Sequence, residues 1–389
     1  FRPLALTHAA MMGGEASLVV ALADSFFFDV DPDAARGRVL LFLLVSFAPF
    51  LFVAPLIGPL IDQMRGGRRF VVMLVAVLRG TLQLVMIRFA GGIGLFPLVF
   101  VALVLQKTYT VSKSALVPSV VRNDRELVEA NSKLGLIAGV TGVVAVIPAA
   151  LLQVLLGTGA TLFYGALLFA AALVAAMQLP RDTVVVSPED AHQPVPTLPP
   201  GVNNAAGAMF ALRCSVGFLL FHLAFWFRSA DAATFWFATA VSLSSIGTLL
   251  GNLGGPHLRR RVTEEHMIVA VLALAAVTGV VTAFMGSKLA GVLLAAVLNF
   301  VAAIARLAFE SIVQRDAPGV NRGQTFARFE TRFQLGWVGA ATLPVLLPIP
   351  SAIGLLAVGV LAAIALFRYR AGTSRAATGR TGNFGVSRP

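Results

Sequence analysis

The chain has 389 residues, of which 58% are hydrophobic and only 12% charged, with a mean hydropathy of +0.86. That balance excludes an ordinary soluble domain, whose surface carries about twice this share of charge. The net charge of +12 does not mark a nucleic-acid partner, because the arginines are scattered in short clusters between apolar runs. The single cysteine, Cys214, excludes an internal disulfide and a cysteine-based metal site.

The first apolar run, Leu4 to Phe28, is too long for a signal-peptide core and shows no cleavage site, so it reads as a spanning helix. Glu15 lies near its middle, directly after Gly13 and Gly14. Asp24 is nine residues further on, which turns it to roughly the opposite face and towards the outer boundary. Further runs follow at about 38 to 61, 69 to 90, 95 to 120, 127 to 156 and 159 to 179, and then at 207 to 228, 232 to 254, 263 to 285, 289 to 314, 325 to 347 and 350 to 370. Each is long enough to cross hydrocarbon as a helix, in which every backbone N–H and C=O finds an internal partner. Barrel strands would be shorter and alternating.

These twelve runs are divided by a Pro-rich segment, in which Pro180, Pro188, Pro194, Pro196, Pro199 and Pro200 break any helix. The expected organisation is an all-α membrane protein with a six-helix bundle over 1–179, a cytoplasmic linker over 180–206, a second six-helix bundle over 207–370 and a disordered basic tail over 371–389. Arg65, Arg68, Arg69, Arg122, Arg125, Arg181, Arg259, Arg260, Arg261, Arg315, Arg322, Arg368 and Arg370 lie in the loops after even-numbered runs or near the ends of the chain. The opposite loops are poor in charge. The positive-inside rule then puts both termini in the cytoplasm, and the Arg-dominated basic usage and compact loops suit a bacterial inner membrane.

The halves repeat weakly. Gly58-Pro-Leu-Ile-Asp62 with its arginines corresponds to Gly251-Asn-Leu-Gly-Gly255 followed by Arg259, Arg260 and Arg261, with Gly255 in place of the acid. Ser114 to Arg122 likewise echoes Glu310 to Arg315. Pseudo-symmetric halves of this kind are common in transporters.

Gly58, Asp62, Arg65, Gly67, Arg68 and Arg69 resemble the loop between helices two and three of the major facilitator superfamily, with altered spacing in the middle and Gln63 replacing the usual base after the acid. Tyr109-x-x-x-Lys113-x-x-Leu116-Val-Pro118, followed by Leu127-Val-x-Ala-Asn131, is similar to the helix-four to helix-five region of the superfamily's drug and siderophore exporters and of its lysophospholipid transporter. The resemblance implies a cytoplasmic latch made by Gly58, Asp62, Arg65, Arg68 and Arg69. An acid at a helix N-terminus and arginines on nearby carbonyls are the forces such a latch would use. Simple charge placement for topology is the alternative.

A charge near the bilayer centre costs about 2.5 to 3.5 kcal/mol on insertion scales, so ionisable residues there should face a cavity or one another. In the first half these are Glu15, Arg79, Lys107 and Lys113. Glu15 facing Arg79 or Lys107 would be a candidate for proton coupling, or a fixed structural ion pair. In the second half they are Arg213, His222, Arg306, Glu310 and Glu330. Arg306 and Glu310, four residues apart, share a helix face and read as a local ion pair. A lone His on an apolar helix, His222, reads as a structural hydrogen-bonding group or a coupling residue. Phe218, Phe221, Phe225, Trp226, Phe235, Trp236 and Phe237 read chiefly as anchors at a membrane boundary. Gly139, Gly142 and Pro148, matched by Gly336, Gly339 and Pro344, offer close packing and bends.

No Walker loop, zinc-ligand spacing, nucleophile elbow or pair of catalytic carboxylates stands out. The reading is therefore a transporter rather than an enzyme, with no catalytic residues, metal or cofactor. It would move a small hydrophobic or amphipathic solute by alternating access as a proton-coupled exporter, in contact with membrane lipids and as a monomer, the superfamily's default. A lipid or lysolipid flippase of the same fold, and a non-transporting receptor or assembly protein, are the alternatives.

Overall fold

The computed structural model describes residues 1–26, 67–89, 95–121, 126–180, 198–229, 233–317 and 322–381. Within them the chain forms eleven α-helices. These are α1 (Arg2–Phe26), α2 (Gly67–Phe89), α3 (Leu95–Leu116), α4 (Leu127–Leu156), α5 (Thr158–Ala176), α6 (Pro200–Ser229), α7 (Ala233–Arg259), α8 (Glu264–Met285), α9 (Lys288–Asp316), α10 (Arg322–Leu346) and α11 (Ser351–Thr381). Eight of them are long and apolar enough to cross a membrane: α1, α2, α4, α5, α6, α8, α9 and α11. The protein is thus a multi-pass membrane protein. The second expected span, residues 38 to 61, lies outside the described residues.

The helices fall into two compact units, one of residues 1–194 with 318–331, the other of 195–317 with 332–389. In the first, α1 packs along α4 and α5, and α2 packs on α3 and α5. In the second, α6 packs on α9 and α11, α7 on α9, and α8 on α9 and α11. Three pairings recur at equivalent places in chain order: α1 with α5 as α6 with α11, α2 with α5 as α8 with α11, and α2 with α3 as α8 with α9. Part of the packing scheme thus recurs between the two halves of the chain.

Helices in lipid gain little from burying apolar side chains against each other, so they pack where small residues let backbones approach. On α7, Gly247, Gly251 and Gly255 form one stripe against α9. A Cβ on Gly251 would lie 2.8 Å from that of Ala303, and one on Gly255 would meet the side chain of Leu307. A side chain at Gly255, where the comparison with Asp62 looks for an acid, would have to displace a methyl group of Leu307. Gly279 of α8 and Gly359 of α11 face each other in the same way. Of the other glycines expected to pack closely, Gly336 meets Phe210 and Cys214, whereas Gly142 and Gly339 have nothing within 4 Å. Pro148, Pro256 and Pro344 sit inside α4, α7 and α10.

The link between α4 and α5 is the single residue Gly157, with φ 82° and ψ −177°, a region of backbone space open essentially to glycine alone. Its N–H donates to the carbonyl of Gln153 at 3.1 Å, and Gln153 Nε2 donates to Thr158 Oγ1 at 2.9 Å. Two helix ends differ from the sequence reading. Helix α6 begins at Pro200 rather than near 207, because proline suits the first helical position, where its missing N–H is not needed. Helix α11 continues to Thr381 into the segment expected to be disordered, where Ala371, Ala376 and Ala377 favour the helix.

Candidate functional site

Helix α1 is buried along the stripe Leu4, His8, Met11 and Leu18 and along a neighbouring stripe of Thr7, Gly14, Ser17 and Ala21. Glu15 falls on the first stripe, between Met11 and Leu18. Arg79 of α2, 1% exposed, meets it there: its Nη1 is 2.5 Å from Glu15 Oε1. The same Nη1 donates to the carbonyl of Ala102 on α3 at 2.8 Å. The guanidinium also lies 4.9 Å from the centroid of the Phe169 ring on α5, within cation–π range. One cation thus ties four helices of the first unit together. Of the two partners the sequence leaves open for Glu15, the structure has Arg79.

Small residues make room for this arrangement. A Cβ on Gly14 would lie 2.7 Å from the Phe169 ring, and one on Gly165 would run into the amide of Gln83. The bare Gly14 backbone also accepts a hydrogen bond from Gln83 Nε2 at 3.0 Å. Gly14→Val is therefore expected to cost about 1 to 3 kcal/mol through overpacking, while Gly142→Ala is neutral or slightly stabilising. Thermal unfolding of the two purified variants in one detergent checks this.

Two turns before Glu15, His8 Nδ1 is 2.9 Å from the Tyr109 hydroxyl, with the rings stacked at a centroid distance of 5.8 Å. Both residues are buried, at 4% and 1% exposure. His8 and Gln83 were not among the residues the sequence singled out, and Tyr109 was noted only within the exporter-like pattern. Burial of His8 and Tyr109 on facing helices is a tertiary fact; the one sequence signal is that His8 shares the apolar stripe of Glu15.

The remaining candidates of the first unit divide. Lys107 Nζ lies 3.7 Å from Glu330 Oε1, on the stretch of α10 that clusters with this unit. Lys113 is buried in the last turn of α3. Arg68 is buried, and Arg69 donates from Nη2 to the carbonyl of Met177 at 2.6 Å. Met177 is the C-cap of α5, where unpaired carbonyls and the helix dipole favour a cation. Gly58, Asp62 and Arg65, the rest of the expected latch, lie outside the described residues.

In the second unit Arg306 and Glu310 form the expected pair on α9, with Nε to Oε1 at 2.8 Å. His222, 2% exposed, is stacked between Phe218 and Trp226, at centroid distances of 5.6 Å and 6.1 Å, against the bare backbone of Gly354. Phe227 is fully buried and continues the aromatic run between Trp226 and Trp236. These rings pack on one another inside the unit. Arg213 is half-buried on α6. Among the nine candidates, three ion pairs are formed: Glu15 with Arg79, Lys107 with Glu330, and Arg306 with Glu310.

A charge network outside that set links α7, α8 and α9. Glu264 opens α8 and its side chain is 2% exposed, with Arg259 Nε 2.7 Å from Oε1 and Arg315 Nη1 3.2 Å from Oε2. Ser311 Oγ donates to Oε1 at 3.2 Å. Arg315 also pairs with Glu265 at 2.9 Å and with Asp316 at 2.7 Å. Acids in the first turn of α8 suit the positive end of its dipole. The arginines are those of the two second-half echoes, after Gly251 to Gly255 and at the end of Glu310 to Arg315. Arg259, which follows Gly255, thus has its acid on the next helix, at Glu264.

No protein-family model matches the chain. A protein of Mycobacterium leprae (strain TN), uncharacterised, is 27% identical over 397 residues, taking in 90% of this chain and 68% of the relative. Uncharacterised proteins of two Mycobacterium tuberculosis strains, CDC 1551 / Oshkosh and ATCC 25618 / H37Rv, are each 36% identical over 135 residues, 32% of this chain and 24% of theirs. Among solved structures, a bacterial homologue of the iron transporter ferroportin in an outward-facing state aligns with TM-score 0.76 and 19% identity, over 96% of this chain and 99% of that one. The human organic anion transporter MFSD10 aligns with TM-score 0.69 and 15% identity, over 95% and 98%. FucP, a major facilitator superfamily transporter in the outward conformation, aligns with TM-score 0.64 and 15% identity, again over 95% and 98%.

Proposed function

We propose that this chain, which has the fold of the major facilitator superfamily, is a secondary transporter that moves a small hydrophobic or amphipathic solute by alternating access, coupled to protons and directed outwards. The observation that carries the proposal is the Glu15–Arg79 pair. A carboxylate and a guanidinium in the interior of a spanning bundle are costly to place there and are retained where charge movement is used. Glu15 is the group able to take up a proton at this pair, since arginine stays charged throughout. Uptake would cancel the attraction that draws α1 onto α2, so proton binding is tied to helix packing. That tie is what a coupled carrier requires.

The solute class rests on the exporter-like pattern from Tyr109 to Asn131. The same reading gives a bacterial inner-membrane protein with both termini cytoplasmic, acting as a monomer, with Arg68 and Arg69 belonging to the cytoplasmic latch. Lys107 with Glu330, and Arg306 with Glu310, are secondary candidates for the solute path, beside Lys113, Arg213 and His222.

Liposomes containing the purified chain, loaded with ethidium or a fluorescent lysophospholipid and given an imposed proton gradient, test this directly. Wild type is expected to move at least one probe in response to the gradient, and Glu15→Gln to slow that movement at least tenfold and abolish its pH dependence. Gradient-driven flux unchanged in Glu15→Gln removes the coupling role. Binding of these probes without movement favours a receptor.

A further inference from the structure

The Glu15–Arg79 pair is not the whole polar interior of the first unit. His8 stands seven residues before Glu15 on the same buried stripe of α1, about 10 Å along the helix at about 1.5 Å per residue. It is held there by Tyr109, which fixes the imidazole through Nδ1 at 2.9 Å and through ring stacking. Both side chains are shut off from solvent. Imidazole is the one side chain whose ordinary titration falls at physiological pH, and a histidine gripped at one nitrogen in such an interior is held in a defined orientation.

We propose that His8, positioned by Tyr109, is a second proton-binding residue of this unit and that its protonation is coupled electrostatically to the Glu15–Arg79 pair. The inference rests on the transport reading for its role, since it gives the coupling site two linked protonatable groups. Coupling itself follows from charge and distance. Among the described residues, the other charged and titratable groups on the helices around His8 are few. Arg79 is on α2, with Arg68 and Arg69 at its start and Arg88 at its end; Lys107 and Lys113 are on α3; Tyr164 is on α5. On α4, Glu129 and Lys133 pair with each other at 2.7 Å and are about half exposed. Arg2 and Asp24 share α1 with His8. Arg79 and Glu15 carry opposite charges and can be neutralised one at a time.

The test follows the histidine side-chain resonances of the purified chain in lipid nanodiscs by NMR across pH, with the His8 signal assigned by its loss in His8→Gln. Glu15→Gln and Arg79→Gln are expected to displace the His8 titration in opposite directions, each by roughly half to one pH unit for a charge at this separation in a protein interior. His257 and His266, both exposed, should stay within about 0.2 unit of wild type, because solvent and salt screen exposed groups. Displacement of His8 in the same direction by both variants, or in neither, overturns the proposal, since a structural disturbance has no reason to follow the sign of the charge removed. Should these variants fail to fold, His8→Gln, which keeps a hydrogen-bonding group towards Tyr109, provides the reciprocal measurement. The protonation profile of the Glu15 carboxyl, followed by its infrared C=O band, should then move by the same amount, and an unmoved profile overturns the proposal. The titrations need no transported solute, so failure of the liposome experiment removes the transport reading alone, and an unlinked His8 removes this inference alone.

Discussion

Replacing Glu15 with leucine is expected to destabilise the first unit by about 3 to 5 kcal/mol, because it leaves a buried guanidinium without its counter-charge. Arg79 is 1% exposed, so water cannot take over what the carboxylate did, and its other contacts among the described residues, Ala102 O and the Phe169 ring, bring no negative charge. Arg79→Leu alone is expected to cost less than Glu15→Leu, since the stranded carboxylate can accept a proton whereas arginine cannot lose one. The double variant Glu15→Leu/Arg79→Leu should recover a large part of the loss, because a buried ion pair replaced by apolar groups is often close to neutral. Chemical unfolding of the four proteins in one detergent closes the cycle. Additive single effects would show that the pair is not an energetic unit.

The second large effect is expected at Glu264. Its carboxylate is 2% exposed and faces Arg259, Arg315 and Ser311; Glu264→Ala removes the buried acid that joins the two arginines, with a loss of about 1.5 to 3 kcal/mol from its charge-assisted hydrogen bonds. Glu265, the adjacent acid, has a side chain 40% exposed and pairs with Arg315 alone, so Glu265→Ala should stay within about 1 kcal/mol of wild type. The contrast between neighbouring residues of one charge and one helix turn is the readout. Equal losses would mean that burial of Glu264 does not set its contribution. Raising the salt concentration should narrow the Glu265 effect and leave that of Glu264 nearly unchanged, since a buried pair is little screened.

Much of the helical frame was legible because spanning lipid imposes a simple rule: a long apolar run closes its own backbone hydrogen bonds or cannot exist there. The run expected over 127 to 156 is the helix Leu127–Leu156, and that over 263 to 285 is Glu264–Met285. The i, i+4 pair of Arg306 and Glu310 was legible for the same local reason. Partners between helices were not. Periodicity puts Glu15 on a face of α1 but does not say which neighbouring helix delivers a cation to it, so Arg79 and Lys107 stood equal until the packing was known. His8 was invisible because a histidine near the start of an apolar run has no local mark of its tyrosine partner 101 residues away.

Glu264 shows a different limit. Position-by-position comparison of the halves looks for an acid where Gly255 stands, and there α7 lies close against Leu307 on α9. The arginine that follows that glycine, Arg259, is paired with an acid of the next helix, Glu264, nine residues beyond Gly255.

The join at Gly157 bears on how this protein can move. A joint of one residue, stitched by Gln153 on its near side and to Thr158 on its far side, has no slack to take up. Helices α4 and α5 are thereby tied end to end, and α1, which carries Glu15 and His8, lies along both. A displacement of α4 is therefore expected to pass directly to α5, and through their shared packing to the helix that holds the Glu15–Arg79 pair.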